Sequence, residues 1–525
     1  MLCLLFFVQI ALAKKSDVCY NGHKKGSFRT AEVTVMIMKH MSWILAAILL
    51  AGAMVSCGGE TTTTADTMPS DTVGETAAVT EEEPFDPFAA LPEKDYEGFD
   101  FHMLIRNNQR WIEDMYIEEA SGDIVDDAIF ERNSLISERF NVTISYQPSS
   151  HDNTETDAVK TILAGDDAYS LVMAHGRAAF SYANQGLVLD WNTDLPYVNL
   201  DNPWWDQDAR KSLSINNLLY VMIGDLSYCS MGAANLMLFN KQMFDELDIE
   251  YPYQLVKDGK WTYETWETMA KGAASDLNGD GTMDKDHDRY GYVTQRWVGP
   301  VQAFATSGLR VISKDTADIP YISIMSDKTL EVFNRYFDLI ESDNAFVDTS
   351  DLSYSADFIK VFEEGRSLFI DMNMHDVDAM RDMDTDFGIV PWPKYDEAAE
   401  YCTNVDAGTN MCVIPMTAAD PERTSIILEA MSAIGYSKVL PAYYEVALQT
   451  KASRDDDSAE MLDIIKAARI YDLGYYNADM SLAYANEFVD FITNPGLGRG
   501  FTSWYEKNEK SVNKALEKVL KEYLE

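Results

Sequence analysis

The chain has 525 residues, with 42 Lys and Arg against 86 Asp and Glu, a net charge of −44 and an isoelectric point near 4.3. An apolar content of 46%, with 10 Trp, 28 Tyr and 23 Phe, excludes disorder throughout, and the length suffices for about three domains or two large lobes. The acidic charge, without Lys/Arg stripes, argues against nucleic acid and anionic lipid surfaces, and six cysteines without a C-x-x-C pair supply neither a disulfide scaffold nor a zinc site.

Two apolar runs come first. Residues 2–13 (LCLLFFVQIALA) lack a basic flank, whereas 42–56 (SWILAAILLAGAMVS) follow Lys39 and His40 and end at Cys57. About 20 apolar residues are needed to span a bilayer, and neither run reaches that length. A basic flank, a short apolar core and a small residue before Cys form a secretion signal. The second run resembles a bacterial lipoprotein signal, with Met54-Val55-Ser56-Cys57 as lipobox; Met54 stands where leucine is usual. The resemblance implies lipidation of Cys57 and a lipid anchor at the extracytoplasmic face of the cell membrane. The alternative is a secretory signal cleaved after Ala13, followed by a short anchor. Residues 1–35 read as a non-native extension, with Met36, Met38 and Met41 as candidate starts, and 36–57 as signal peptide and lipobox. Residues 1–56 hold six Lys/Arg and two Asp/Glu, so the remainder carries −48. Residues 58–98 are Thr-rich and acidic with few large apolar side chains, which predicts a disordered tether.

From Phe99 strands alternate with helices. The pattern predicts a strand over 99–105, a helix over 123–139 capped by Asp123, a strand over 142–146, a helix over 155–164 and an all-apolar strand over 169–174. An unbroken apolar run suits a parallel strand buried on both faces. Further strands are predicted at 218–223 and 234–239, and a helix begins after Thr262. Helix 328–341 points Leu330, Phe333, Phe337 and Ile340 inward, and 511–524 does so with Val512, Leu516, Val519 and Tyr523. The class is α/β, with ligands expected at the carboxyl ends of the strands.

Several segments carry a family resemblance. They are Asn202-Pro203-Trp204-Trp205-Asp206, Leu238-Phe239-Asn240-Lys241, Asp258-Gly259-Lys260-Trp261-Thr262, Asp276-Leu277-Asn278-Gly279-Asp280-Gly281, 362–369 (FEEGRSLF) and 386–393 (DFGIVPWP). In this order, and together with the signal, they resemble an extracellular solute-binding protein of the maltose-binding type (family 1), the capture subunit of a carbohydrate ABC importer. The resemblance implies a two-lobed periplasmic-binding-protein-like (type II) fold with an interlobe ligand cleft. By analogy lobe one is 99–232 plus 405–435, and lobe two is 233–404 plus 436–525. It further implies a monomer that closes on a neutral sugar or oligosaccharide and delivers it to ABC permease subunits, with no cofactor required.

Sugar sites pair aromatic platforms with polar side chains that read the hydroxyl rim. Candidates at strand ends and in Pro/Gly loops are Arg177 beside His175, Trp204 and Trp205, Asp225 and Tyr228, Trp297, Asp371 and Asn373, Trp392, and Asn410 near Asp406. Each tryptophan has core packing as its alternative; Trp261 and Trp266, on a helix, read as core. His175 and His375 are lone histidines without metal spacing.

Asp276, Asn278, Asp280, Thr282, Asp284 and Asp288 follow the first half of a calcium loop, with Gly281 at its sixth position. His287 stands at position twelve in place of the bidentate carboxylate, unless Asp286 or Asp288 substitutes one residue off register. The expected ion would be structural Ca²⁺; the alternative is an acidic solvated turn. No G-x-S-x-G, H-E-x-x-H, P-loop or dinucleotide motif occurs, so no enzyme activity is expected. The competing functions are a secreted carbohydrate-active enzyme and a ligand-sensing lipoprotein feeding a membrane receptor.

Overall fold

Two open sheets carry the fold, and the apolar runs of the sequence form their central strands. The computed structural model describes residues 85–150, 156–349, 356–380, 383–448 and 456–525. The signal, the lipobox and nearly all of the tether lie outside these residues.

Among the described residues the main strands are β1 (Phe99–Ile105), β2 (Val142–Pro148), β3 (Leu171–His175), β4 (Asn235–Asn240), β5 (Tyr290–Gln295), β6 (Ala345–Asp348), β7 (Ser367–Asn373), β8 (Phe387–Val390) and β9 (Asn410–Val413). The first sheet has the order β9-β3-β1-β2, with β1 parallel to β2 and β3, and β9 antiparallel to β3. The second has the order β8-β4-β7-β5-β6, with β5 parallel to β6 and β7, and β4 antiparallel to β7 and β8. Successive side chains of a strand point to opposite faces, so a sheet covered on both sides needs apolar residues throughout. β4 shows this: Met237 and Phe239 join one core with Tyr292 and Phe369, while Leu236 and Leu238 join a second core with Val293 and Ile370.

Helices cover both sheets. Helix α1 (Ile124–Phe140) packs on β2. Asp123 caps it by accepting from the Val125 and Asp126 N–H groups, and Asn141 ends it at φ +50°. Helix α2 (Gly176–Ala183) leaves the end of β3, and α3 (Tyr263–Ala273), capped by Thr262, lies on β5. Gly291 in β5 permits that approach, since a Cβ there would sit 1.8 Å from the Ala270 carbonyl oxygen. Helix α4 (Asp327–Ile340) buries Val332, Phe333, Tyr336 and Phe337, whereas Leu330 and Ile340 are half-buried. Leu330 and Ile340 still pack on the core with Phe333 and Phe337, so the inward face holds the expected residues and is widened by Val332 and Tyr336. Helix α5 (Pro421–Ile434) packs on α1, and helix α6 (Phe501–Leu524) buries Val512, Leu516, Val519 and Tyr523.

The strand expected over 218–223 forms only isolated bridges, Met222 with Cys412 and Leu218 with Ile215. A tight turn at Asn216 and Asn217 (φ +53° and +63°) folds its start back on itself instead of into a ladder. The helix expected from 155 starts at Val159.

The chain passes from the first sheet to the second at 233–234 and returns at 405–406. Ala234 bridges Val405, and the Asp406 N–H donates to the Ala233 carbonyl at 3.0 Å. A third segment lies alongside, with Thr403–Asn404 paired parallel to Arg469–Ile470. Residues 436–525, assigned to lobe two from the sequence, touch both lobes: the Tyr523 carbonyl accepts from Asn216 Nδ2 at 2.7 Å. Among the described residues no helix is long and apolar enough to cross a membrane.

Candidate functional site

The carboxyl ends of strands from both sheets converge on one cavity of about 300 Å³. β1 delivers Arg106 and, one short turn later, Asn108 and Trp111. β3 delivers His175 and Arg177, β5 delivers Gln295 and Trp297, and β7 delivers Asn373, His375 and Asp376. The crossing segment adds Asp406 and Gly408, and Tyr475 completes the wall. Open α/β sheets place ligands at such strand ends, and ligand pockets occupy about 300–1,000 Å³.

Each side chain is held by a neighbour. Arg106 donates to the Gly408 carbonyl and lies 4.5 Å over the Trp111 ring. Trp111 meets His375 edge-on at 5.9 Å, and its indole N–H is buried without a partner. Arg177 lies 5.8 Å from the Tyr475 ring, whose hydroxyl donates to Asp406 Oδ2 at 3.2 Å. Arg296 lies 4.6 Å over Trp297 and pairs with Asp490. Asn373 accepts from Asn235, which accepts from Gln302, and Gln302 reaches the Asn404 carbonyl at 2.9 Å. That relay ties the cavity floor to the interlobe crossing.

Two polar contacts join the Trp111–His375 contact in spanning the cleft. Arg110, from the β1 end, pairs with Asp376, from the β7 end, at 3.3 Å. Arg177 Nη2 donates to Asn486 Oδ1 at 2.5 Å. Burial opposes ionisation of Asp376, but His375 and Arg110 outweigh it and hold the carboxyl below its ordinary value. Burial, reinforced by the Arg106 and Arg177 guanidiniums, pushes His175 down to about 3, so its ring is neutral at any physiological pH. Among the lining residues Arg106 and Arg177 balance Asp376 and Asp406. The cavity is therefore walled by the Trp111, Trp297 and Tyr475 rings, each with an arginine against it, and by a charge-balanced set of donors and acceptors.

Of the residues singled out in the sequence, Arg177, Trp297 and Asn373 line this cavity, together with His175, His375 and Asp406. The others lie elsewhere. Trp205 is 1% exposed, and its indole donates to Glu429 Oε2 at 2.9 Å, while Trp204 donates to Oε1 of the same carboxylate at 3.1 Å. Trp392 is fully buried against Trp266 and Tyr292. Its flanking prolines fix the backbone but leave the ring free to turn inward. Asp371 is fully buried, accepts from the Tyr292 hydroxyl at 2.7 Å, and is pushed up to about 7 by burial. Asp225 is likewise pushed up to about 7 by burial, against the pull of Arg469 and Lys466. Tyr228 stacks on Tyr443 at 4.5 Å, and buried Asn410 donates to Asp114 at 3.4 Å. Cys229, Cys402 and Cys412 are free thiols.

Arg106 and Trp111, absent from the sequence candidates, closely follow the 99–105 strand and so fall where the strand-end rule places ligand contacts. Tyr475 carries no local signal; it arrives through the pairing of 403–404 with 469–470.

The acidic loop turns its oxygens onto its own backbone. Asp276 accepts from Gly279 and Gly281, Asn278 from Asp280, Asp280 from Thr282, and Asp288 from Leu277 and Asp284. Asp284 also holds the His287 ring at 2.9 Å. Among the described residues no three carboxylate, imidazole or thiol groups converge as a metal would require.

No family model and no curated protein matches the chain in sequence. Solved structures do match in fold. An ABC substrate-binding protein from Listeria monocytogenes, in complex with cycloalternan, is 13% identical with a TM-score of 0.51, over 80% of this chain and 99% of its own. A cyclo/maltodextrin-binding protein complexed with maltotetraose is 12% identical with a TM-score of 0.52, over 81% and 97%. An ABC transporter solute-binding protein from Thermotoga lettingae, bound with α-D-tagatose, is 13% identical with a TM-score of 0.52, over 80% and 100%. The chain thus has the two-lobed α/β fold of type II periplasmic binding proteins.

Proposed function

We propose that the chain is an extracytoplasmic solute-binding protein that captures a neutral sugar or oligosaccharide between its lobes and delivers it to an ABC permease. One observation carries this reading: the interlobe cavity combines Trp111, Trp297 and Tyr475 with a charge-balanced polar rim of Arg106, Arg177, Asn373, Asp376 and Asp406. Aromatic faces suit the apolar faces of sugar rings, and the rim supplies hydrogen bonds without the net charge an ionic ligand would need. The fold neighbours with bound saccharides support the same class.

Capture works by population shift. A ligand that touches residues of both β-strand sets gains those contacts only when the lobes are together, so binding favours closure. Binding is proposed without turnover. Cys57, as the lipidated residue, would hold the body at the outer membrane face through the tether. The acidic loop is proposed to take structural Ca²⁺, which would have to draw Asp276, Asp280 and Asp288 off the backbone N–H groups that they now accept from.

Isothermal titration against mono- and oligosaccharides, amino acids and peptides tests the reading. Saturable binding of a saccharide group, with no product after prolonged incubation, is the expected result. Binding of amino acids or peptides alone would overturn it, and release of shorter sugars would make the protein an enzyme.

A further inference from the structure

A second cavity, of about 310 Å³, adjoins the first and shares His175 and Arg177 with it. Helix α2 forms one wall through Phe180 and Ser181, and Asn477 and Asp479 form the other. Most of its polar groups are anchored. Asn477 exchanges hydrogen bonds with Asn184 at 2.9 and 3.2 Å, and Asp479 Oδ2 accepts from Asn184 at 3.3 Å. Ser181 Oγ accepts from Gln185 at 3.3 Å, which leaves its O–H available. Arg177 stands in the partition. Its Nη2 is committed to Asn486, while its Nε is buried without a partner.

The chamber repeats the charge balance of the cleft at the same scale. Phe180, 2% exposed, only backs the wall from the core, Ser181 and Asn477 are neutral, and the Arg177 cation is matched by the Asp479 anion. An anionic ligand end would meet Asp479, and a cationic one would meet Arg177. A neutral, hydroxyl-rich unit suits both.

We propose that this chamber is a second sugar subsite, so that the ligand is an oligosaccharide running from the cleft past Arg177 into it; the proposal rests on the saccharide reading above. Buried donors such as Arg177 Nε acquire partners when a hydroxyl chain passes. The length of the sugar, not only the identity of its ring, then sets affinity.

The test is a titration of the protein with gluco-oligosaccharide ladders of increasing length, in the α-1,4, α-1,6, β-1,3 and β-1,4 series, with mannan and xylan ladders beside them. Affinity should rise at least tenfold along one ladder. Ser181→Trp, which fills the chamber, should collapse that ratio toward one, and Asp479→Ala at the exposed rim should lower it several-fold without needing a core change. A flat ladder overturns the proposal while leaving sugar capture intact, as does a steep ladder that both variants preserve. No binding anywhere on the ladders overturns both readings.

Discussion

Among the described tryptophans the surroundings of the ring, more than its burial, separate cavity from core, because Trp111 at 6% exposure is nearly as buried as Trp205 at 1%. Trp111 and Trp297 line the cavity, so Trp111→Ala and Trp297→Ala should each weaken saccharide binding by about ten- to a hundredfold, as loss of a sugar-stacking face would. Trp205 and Trp392 sit in the core, and replacing either with Ala should instead cost about 3–5 kcal/mol of stability, read by denaturant melts. The reverse pattern would move the site to the surroundings of Trp205 and Trp392. Asp371 gives a pH test. Its folded pKa near 7 lies above the ordinary carboxyl value, so between about pH 4 and 7 the unfolded chain releases a proton that the folded one keeps, and stability falls as pH rises. Asp371→Asn removes that loss, and its stability relative to the parent should improve by about 2–3 kcal/mol between pH 5 and pH 8. A pH-independent difference would show that Asp371 is ionised when folded.

Elements were legible where their signal was local. The Asp123 cap, the 99–105 strand and the α6 face of Val512, Leu516, Val519 and Tyr523 all lie where the sequence puts them, because capping and periodicity act over a few residues. The 218–223 segment did not form a ladder, since pairing partners are set by distant chain and its own Asn216–Asn217 turn competes. Site residues followed the same rule. Arg177 closely follows the strand read over 169–174, and Trp297 and Asn373 lie just past β5 and at the end of β7, whereas the rings of Trp392 and Trp205 turn inward in loops whose composition looks like surface. The acidic loop has a test of its own. With calcium bound, added Ca²⁺ should raise the melting temperature and Asp280→Ala should abolish the rise. Superimposable melts with Ca²⁺ and with chelator would leave the loop held by its backbone bonds alone.

At the scale of the whole molecule, the proposed capture rests on two sheets joined by crossings at 233–234 and 405–406, with the cavity between their strand ends. The Arg110–Asp376 pair bridges the cleft while partly exposed, so it contributes about 0.2–1 kcal/mol to holding the two sides of the cleft together. Arg110→Ala should thus favour the open form and weaken the sugar by up to about fivefold, mainly through faster dissociation. An unchanged dissociation rate would show that this pair does not hold the lobes together. The most direct measurement is a titration of the lipid-free body, residues 85–525, with neutral saccharides, beside the Trp297→Ala variant. The account predicts saturable binding that Trp297→Ala weakens at least tenfold with an unaltered melting temperature in the absence of sugar. Saccharide binding indifferent to Trp297 and Trp111, or an affinity confined to charged ligands, would contradict it.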